Sequence, residues 1–287
     1  MTNPAIEAAE STVRPEDRRL IALDLDGTVL LEDDTLSPGV VDAVRSAESL
    51  GHIVTIATGR SWESVGYVLE QLGLSPRHIV TANGATIMTR DDLAPSGYRR
   101  DIVETFDATD VLTHIEQHLP DGNYLVELAD GSRLFNNRLD DWNLRGPNAR
   151  QVDIEEMKGH EVTRVVVVSD DHGGTSFAEF VDKMGLQQVS YSVGWSAWLD
   201  IAPQGVDKST ALEHVRELEE IPPGNVVVMG DGRNDIQMLD WARESGGEAV
   251  VMGQALPEVA VHGSRITASV ELGGVAQALD EIGLTAS

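Results

Sequence analysis

The sequence predicts an α/β protein: a Rossmann-like parallel sheet with helices on both faces, interrupted by an inserted α+β cap domain. Three observations carry that expectation. Short runs rich in Val and Ile alternate with helical patterns toward both ends of the 287-residue chain. The middle of the chain breaks that alternation and carries hairpin signals. Four of the apolar runs end in clusters of small polar residues.

The apolar runs are Leu20–Leu23, Ile53–Ile56, His78–Val80, Arg164–Val168, Asn225–Met229 and Ala249–Met252. Runs this short read as buried strands. Ser37-Pro38 and the following VVDAVRSAESL predict a capped helix stopping at Gly51. Trp62–Leu72, Lys208–Leu218 and Asp235–Arg243 predict further helices. Tyr124–Leu128 and Arg133–Phe135 flank Ala129-Asp130-Gly131-Ser132, a hairpin pattern. Val189–Ser192 and Trp195–Leu199 flank a second turn at Val193-Gly194. The expected organisation is a flexible extension over 1–17, a core over 18–86 and 202–287, and a cap over 87–201.

Composition narrows the function. At 41% apolar residues the chain can build a packed core without staples. It has no cysteine, which excludes disulfides, thiolate nucleophiles and cysteine metal sites. No run of 18 apolar residues exists and the N-terminus lacks a signal-peptide pattern, so no membrane span and cytoplasmic residence are expected. A net charge of −27 argues against nucleic acid and anionic membrane. A small anionic ligand still fits a locally positive site, since the field is screened over about 8 Å at physiological salt. Lysine occurs only at 158, 183 and 208.

The polar clusters are Asp24-Leu25-Asp26-Gly27-Thr28, Thr58-Gly59-Arg60, Asn83-Gly84 and Gly230-Asp231-Gly232-Arg233-Asn234-Asp235. In an open parallel sheet, ligands bind beyond the carboxyl ends of the strands, so the clusters should share one crevice. In extended chain Asp24 and Asp26 point to one side. Two carboxylates so placed repel unless a cation or shared proton compensates, and magnesium suits such oxygen donors. Asp-Gly is also a common turn pair. Asp231 and Asp235 form a second acidic pair, and Asn234 or Asp235 is also a candidate helix cap. Thr58 and the Gly59 amide, before a helix, form a candidate phosphate cradle. Lys208, at a helix start, is a candidate phosphate ligand.

Together these segments resemble the haloacid dehalogenase-like hydrolase superfamily, and within it the Cof-type phosphatases with a C2 (type IIB) cap. The signatures stand in family order: DLDGT at Asp24–Thr28, ATGR around Thr58, GVDKSTAL with Lys208, and GDGRNDIQML with Asp231 and Asp235. TANGA around Asn83 and VMGQA at Val251–Ala255 add to the likeness. Ser209 and Gln254 depart from it, standing where glycine and asparagine are usual. The resemblance implies a Mg2+-dependent phosphatase of a small phosphorylated metabolite, such as a sugar phosphate. Asp24 would be the nucleophile and Asp26 the general acid and base. Metal would be held by Asp24, the Asp26 carbonyl, Asp231 and Asp235. Phosphate or substrate would contact Thr58, Gly59, Arg60, Asn83, Gly84, Lys208 and Asn234.

A closing cap would hinge near Ile87 and Ile201. Arg133, Arg138, Arg145 and Arg150 are candidates for a second anionic group, or simply an exposed charged face. Trp195 and Trp198, three apart on a strand, should face opposite sides. A phosphomutase of the phosphomannomutase type would use the same aspartyl-phosphate. A non-catalytic sugar-phosphate sensor would be expected to lose Asp24 or its metal ligands, which are present. A nucleotide-binding Rossmann protein would need Gly-x-Gly-x-x-Gly after the first strand, which is lacking. Oligomeric state has no signature in the chain.

Overall fold

Leu20–Leu23 (β1) is an inner strand of a five-stranded parallel sheet. It pairs on one side with Ile53–Ile56 (β2) and on the other with Val226–Gly230 (β13). Glu248–Val251 (β14) and Arg265–Ile266 (β15) extend the sheet beyond β13, giving the order β15-β14-β13-β1-β2. This computed structural model describes residues 13–138, 144, 148–169, 177, 179, 181, 189–193 and 197–286.

The sheet is apolar on both faces, as parallel strands require. Ile21 and Leu23 of β1 pack with Val40–Leu50 (α1), Gly66–Leu72 (α2) and Gly274–Glu281 (α8). Leu20 and Ala22, one residue out of phase, pack with Lys208–Leu218 (α5), Ile236–Glu244 (α6) and Pro257–Ala260 (α7). Each fully buried aliphatic side chain of this kind stabilises by roughly 1.5–3 kcal/mol. The doubly wound class read from the sequence is therefore the observed one. Two local expectations differ. Helix α1 begins after Gly39, and Ser37 donates its hydroxyl to the Val270 carbonyl instead of capping. The Trp62–Leu72 segment is a 3₁₀ turn, Trp62–Ser64, followed by α2.

His78–Thr81 (β3) continues the sheet beyond β2 through a parallel bridge between Ala57 and Val80. Thr86–Arg90 (β4) and Tyr98–Val103 (β5) then add to β3 in antiparallel fashion. The expected cap boundary at residue 87 thus falls inside a strand paired to the core side. A separate sheet begins only at Phe106–Asp107 (β6). It contains Asn123–Leu128 (β7), Arg133–Phe135 (β8), Ala149–Gln151 (β9), Glu161–Val168 (β10), Val189–Val193 (β11) and Trp198–Pro203 (β12), ordered β11-β12-β10-β7-β8-β9. Ile201, the expected second hinge, is likewise inside a strand, β12. Both hairpin pairings read from the sequence, β7 with β8 and β11 with β12, are present. Thr109–His118 (α3) and Ile154–Met157 (α4) bury residues of this second unit's core.

Residues 13–17, read as part of a flexible extension, are tied down. Val13 donates to the Leu50 carbonyl, and the Asn225 amide donates to the Glu16 carbonyl at 2.7 Å. Among the described residues no helix is long and apolar enough to cross a membrane.

Gly84 joins the β3–β4 turn to the start of α5. Its φ is +100°, and an added Cβ would lie 2.1 Å from the Asp207 carbonyl oxygen. Gly84→Ala should lower the unfolding free energy by about 2–4 kcal/mol, combining left-handed strain with overpacking. Urea titration of wild type and variant checks this, and a change below 0.5 kcal/mol would contradict the packing described.

Candidate active site

Three neighbouring strands, β13, β1 and β2, end at one level. Leu23 is in register with Met229 and Ile56. Their next residues are Asp24, Gly230 and Ala57, and Asp231 and Thr58 follow one step on. Strands from the two ends of the sequence therefore meet at the site because β1 pairs with β13.

Asp24, Asp231 and Asp235 are all buried, and their carboxylate oxygens lie within 4.8 Å of one another. The fully buried Lys208 ammonium reaches into them, donating to Asp24 Oδ1 at 2.6 Å and to Asp235 Oδ1 at 2.7 Å. It is aimed there by the first turn of α5. Asp207 caps that helix through the Ser209 and Thr210 amides, and Thr210 accepts from the Asp207 amide in return. Ser209 also donates its hydroxyl to Asp207 at 2.5 Å, so this departure from the usual glycine serves the cap.

One cation among three carboxylates leaves a negative excess. Burial, then repulsion from Asp235, holds the Asp24 carboxyl well above the usual range. The same causes push Asp231 up to about 7. Burial acts to lower the Lys208 ammonium, but Asp235 and Asp24 outweigh it and hold it above the ordinary lysine value. Asp235 also accepts from the Asp231 and Gly232 amides at 2.9 Å each, so it closes the loop that carries Asp231.

Gly27 has φ +77°, and a Cβ there would lie 2.3 Å from Asp231 Oδ2, so only glycine lets the two loops approach. Gln254 braces the same contact. Its amide nitrogen donates to the Gly27 carbonyl at 2.5 Å and to Asp231 Oδ2 at 3.2 Å, while its oxygen accepts from the Val270 amide. Gln254, which stands where asparagine is usual, thus holds the acidic loop.

Asp26 does not share the Asp24 cluster. The Leu25 carbonyl accepts from the amides of Thr28, Val29 and Leu30, so the chain coils immediately after Asp24. The Asp26 side chain is 58% exposed and pairs with Arg60 Nη2 at 2.5 Å. Arg60 also binds Asp34 Oδ1 at 2.6 Å and donates to the Tyr67 hydroxyl at 2.8 Å. It is thus committed to carboxylates here, not presented as a phosphate ligand. Thr58 is buried beside this loop, and its hydroxyl accepts from the Arg60 amide at 3.1 Å.

Asn83 links three segments. Its amide nitrogen donates to Asp200 Oδ2 at 3.0 Å, its side-chain oxygen accepts from the Asn234 amide at 3.1 Å, and its backbone amide donates to the Thr58 carbonyl. Asn234 therefore reaches the Thr58 loop through Asn83.

The three described cap arginines named from the sequence have separate surroundings. Arg133 is buried on β8, Arg138 lies over the Phe135 ring, Arg150 pairs with Glu156 at the surface, and Arg145 lies outside the described residues. Trp195 is also outside them; Trp198 packs beside Leu125, Phe135 and Val166. The arginine that reaches the core is Arg164, which donates to the Gly59 carbonyl. In the sequence it stands at the head of the apolar run Arg164–Val168.

Residues 21–279 match the haloacid dehalogenase-like hydrolase family. The chain belongs to that family. A 5-amino-6-(5-phospho-D-ribitylamino)uracil phosphatase of Bacillus subtilis is 27% identical over 267 residues, covering 91% of this chain and 96% of the relative. A phosphoglycolate phosphatase of Natronomonas pharaonis is 27% identical over 222 residues, covering 77% and 80%. Among solved structures, a sugar phosphatase of subclass IIB superposes with a TM-score of 0.76 at 18% identity, covering 93% of this chain and 99% of that one. The enzyme is a phosphatase of the haloacid dehalogenase-like superfamily, with a Cof-type core and cap.

Phosphatases of this family generally use a divalent metal, and the donor set here fits one. All three side chains offer hard oxygen atoms, and their buried negative excess is what a divalent cation would neutralise. Protons compete for the same carboxylates. Adding MgCl2 should therefore raise the melting temperature, and the increase should grow from pH 5.5 to pH 8 as Asp231 loses its proton. The sign follows from the raised value: below it the folded protein holds the proton that metal must displace. A shift equal at both pH values, read by scanning calorimetry, would count against these ligands.

Proposed function

We propose that the enzyme is a cytoplasmic, Mg2+-dependent phosphatase that hydrolyses a small phosphomonoester through an aspartyl-phosphate on Asp24. The observation that supports this most is the convergence of Asp24, Asp231 and Asp235 on Lys208 at the ends of β1 and β13. The substrates named for the relatives, a ribityl phosphate and phosphoglycolate, are small phosphorylated metabolites and support the substrate class.

In this reading a carboxylate oxygen of Asp24 attacks phosphorus and the ester P–O bond breaks. Asp26 gives its proton to the departing alkoxide. Water then attacks the aspartyl-phosphate, the bond to Asp24 breaks, and Asp26 takes up the water proton. To do this Asp26 must turn away from Arg60, while Asp34 keeps the guanidinium paired. Lys208, Thr58 and the Gly59 amide would hold the phosphoryl oxygens, with Asn234 positioned through Asn83. Asp24, the Asp26 carbonyl, Asp231 and Asp235 would hold Mg2+, which supplies charge neutralisation for the phosphoryl group.

Asp24→Asn should lower phosphate release by at least about 1,000-fold across a panel of phosphorylated metabolites. The fold should survive, with the metal-free melting temperature unchanged or raised, because one repelling carboxylate is gone. Malachite-green assay and calorimetry read the two outcomes; wild-type turnover in the variant would remove Asp24 as nucleophile.

A further inference from the structure

Three side chains hold Arg60, and only one of them takes part in the proposed reaction. Arg60 Nε lies 3.1 and 3.0 Å from the two Asp26 oxygens, and Nη2 donates to Asp26 Oδ1. The same Nη2 donates to Asp34 Oδ1 at 2.6 Å, and Nη1 donates to the Tyr67 hydroxyl at 2.8 Å. The Arg60 side chain is 20% exposed, against 58% for each carboxylate. A guanidinium covered to that degree is destabilised when a carboxylate leaves it, unless another partner stays.

Asp34 sits on a turn that grows from the same coil as Asp26. Leu30, fully buried, is bridged to both Asp26 and Leu36. The Leu31 amide donates to the Thr35 carbonyl, and the Asp34 amide to the Leu31 carbonyl. Asp33 Oδ1 accepts from the Thr35 amide at 3.0 Å and from its hydroxyl at 2.5 Å. These backbone and Asp33 bonds close the turn without the Asp34 carboxylate. Asp34 itself has φ +62°, a left-handed conformation that glycine and asparagine also adopt. Its side chain is thus spare for Arg60, and the turn aims it there.

We propose that Asp34 is a positioning residue for the reaction: by holding Arg60 it lets Asp26 leave the guanidinium and turn to the ester oxygen. The proposal rests on the phosphatase reading of the site, in which Asp26 is the general acid. Two arrangements then exchange. In the one observed, Asp26 is parked on Arg60. In the other, Asp26 has left and taken a proton from water, while Asp34 and Tyr67 keep Arg60 engaged. The ester P–O bond then breaks and the leaving oxygen takes that proton from Asp26. Without the Asp34 charge, Asp26 is the one carboxylate left on Arg60, and the balance moves toward the parked arrangement.

The test separates esters by their need for a proton. The alkoxides of D-ribitol 5-phosphate and D-glucose 6-phosphate leave poorly unprotonated, whereas p-nitrophenyl phosphate releases a stable phenolate. In kcat/KM only steps through ester cleavage count, so hydrolysis of the aspartyl-phosphate does not enter. With the full chain and MgCl2, Asp34→Asn should lower kcat/KM on the alkyl esters by about 3- to 10-fold and change p-nitrophenyl phosphate by less than about 2-fold. Asp26→Asn should show the same selectivity with a larger loss. In an Arg60→Met background, Asp34→Asn should shift the alkyl-to-aryl ratio no further, since its effect passes through Arg60. Asparagine suits the left-handed turn, and Asp34→Gly serves if Asp34→Asn does not fold. An unchanged ratio, an equal loss on all three esters, or the same shift in the Arg60→Met background would overturn the proposal and leave the phosphatase reading standing. Loss of selectivity in Asp26→Asn, or no hydrolysis of either alkyl ester by the wild type, would overturn both.

Discussion

Lys208 holds Asp24 and Asp235 together inside the protein, with Asp231 alongside, and the rest of the site is arranged around that contact. Buried ion pairs rarely stabilise a fold relative to apolar packing, because each charge loses its water. Here the account is worse than a pair, since three carboxylates face one ammonium. The raised Asp24 and Asp231 carboxyls are the physical record of that imbalance. Such a cluster persists only where surrounding structure enforces it. The enforcement is visible: apolar strands end directly beneath it, Gly27 lets two loops touch, and Gln254 clamps them.

The sheet order explains how residues about two hundred positions apart become neighbours. Pairing of β1 with both β2 and β13 puts three strand ends side by side, and the polar residues after each need no further rule to converge. Lys208 comes from a different source, the first turn of the helix that returns from the cap sheet to the core. Its placement depends on the Asp207 cap and on Gly84, which packs against that cap's carbonyl. The chain that leaves for the cap and the chain that comes back therefore bracket Lys208.

Much of this could be read from residue types alone. Val- and Ile-rich runs identified β1, β2, β3, β10, β13 and β14, and the polar residues at their ends marked Asp24, Thr58, Asn83 and Asp231. What escaped has identifiable causes. The rule that residues i and i+2 share a side holds for extended chain, and the chain coils at Leu25, so Asp26 turns to Arg60. β4 and β5 carry an antiparallel pattern, but pattern tells the kind of strand and not the sheet it joins; they add to the core through β3. Arg164 was hidden inside a valine run because both faces of β10 are buried and alternation does not show. The partners of a buried charge are set by neighbouring strands, which a single sequence leaves unspecified.

Charge bookkeeping connects these pieces to phosphate binding. Among the described residues, Arg60, Arg164 and Lys208 stand near the strand ends, and each is engaged by a carboxylate. Arg60 answers Asp26 and Asp34, Arg164 is paired with Asp200 and flanked by Glu127, and Lys208 answers Asp24 and Asp235. In a chain of net charge −27 this leaves the crevice negative, so a phosphate dianion would meet repulsion there. On the proposed reading, a divalent cation reverses that sign locally and frees Lys208 to share its donors with the phosphoryl oxygens. On that reading, the same excess of carboxylate that makes the cluster unfavourable by itself is what would couple metal to substrate: the site would become attractive to phosphate only once its own acids have been answered.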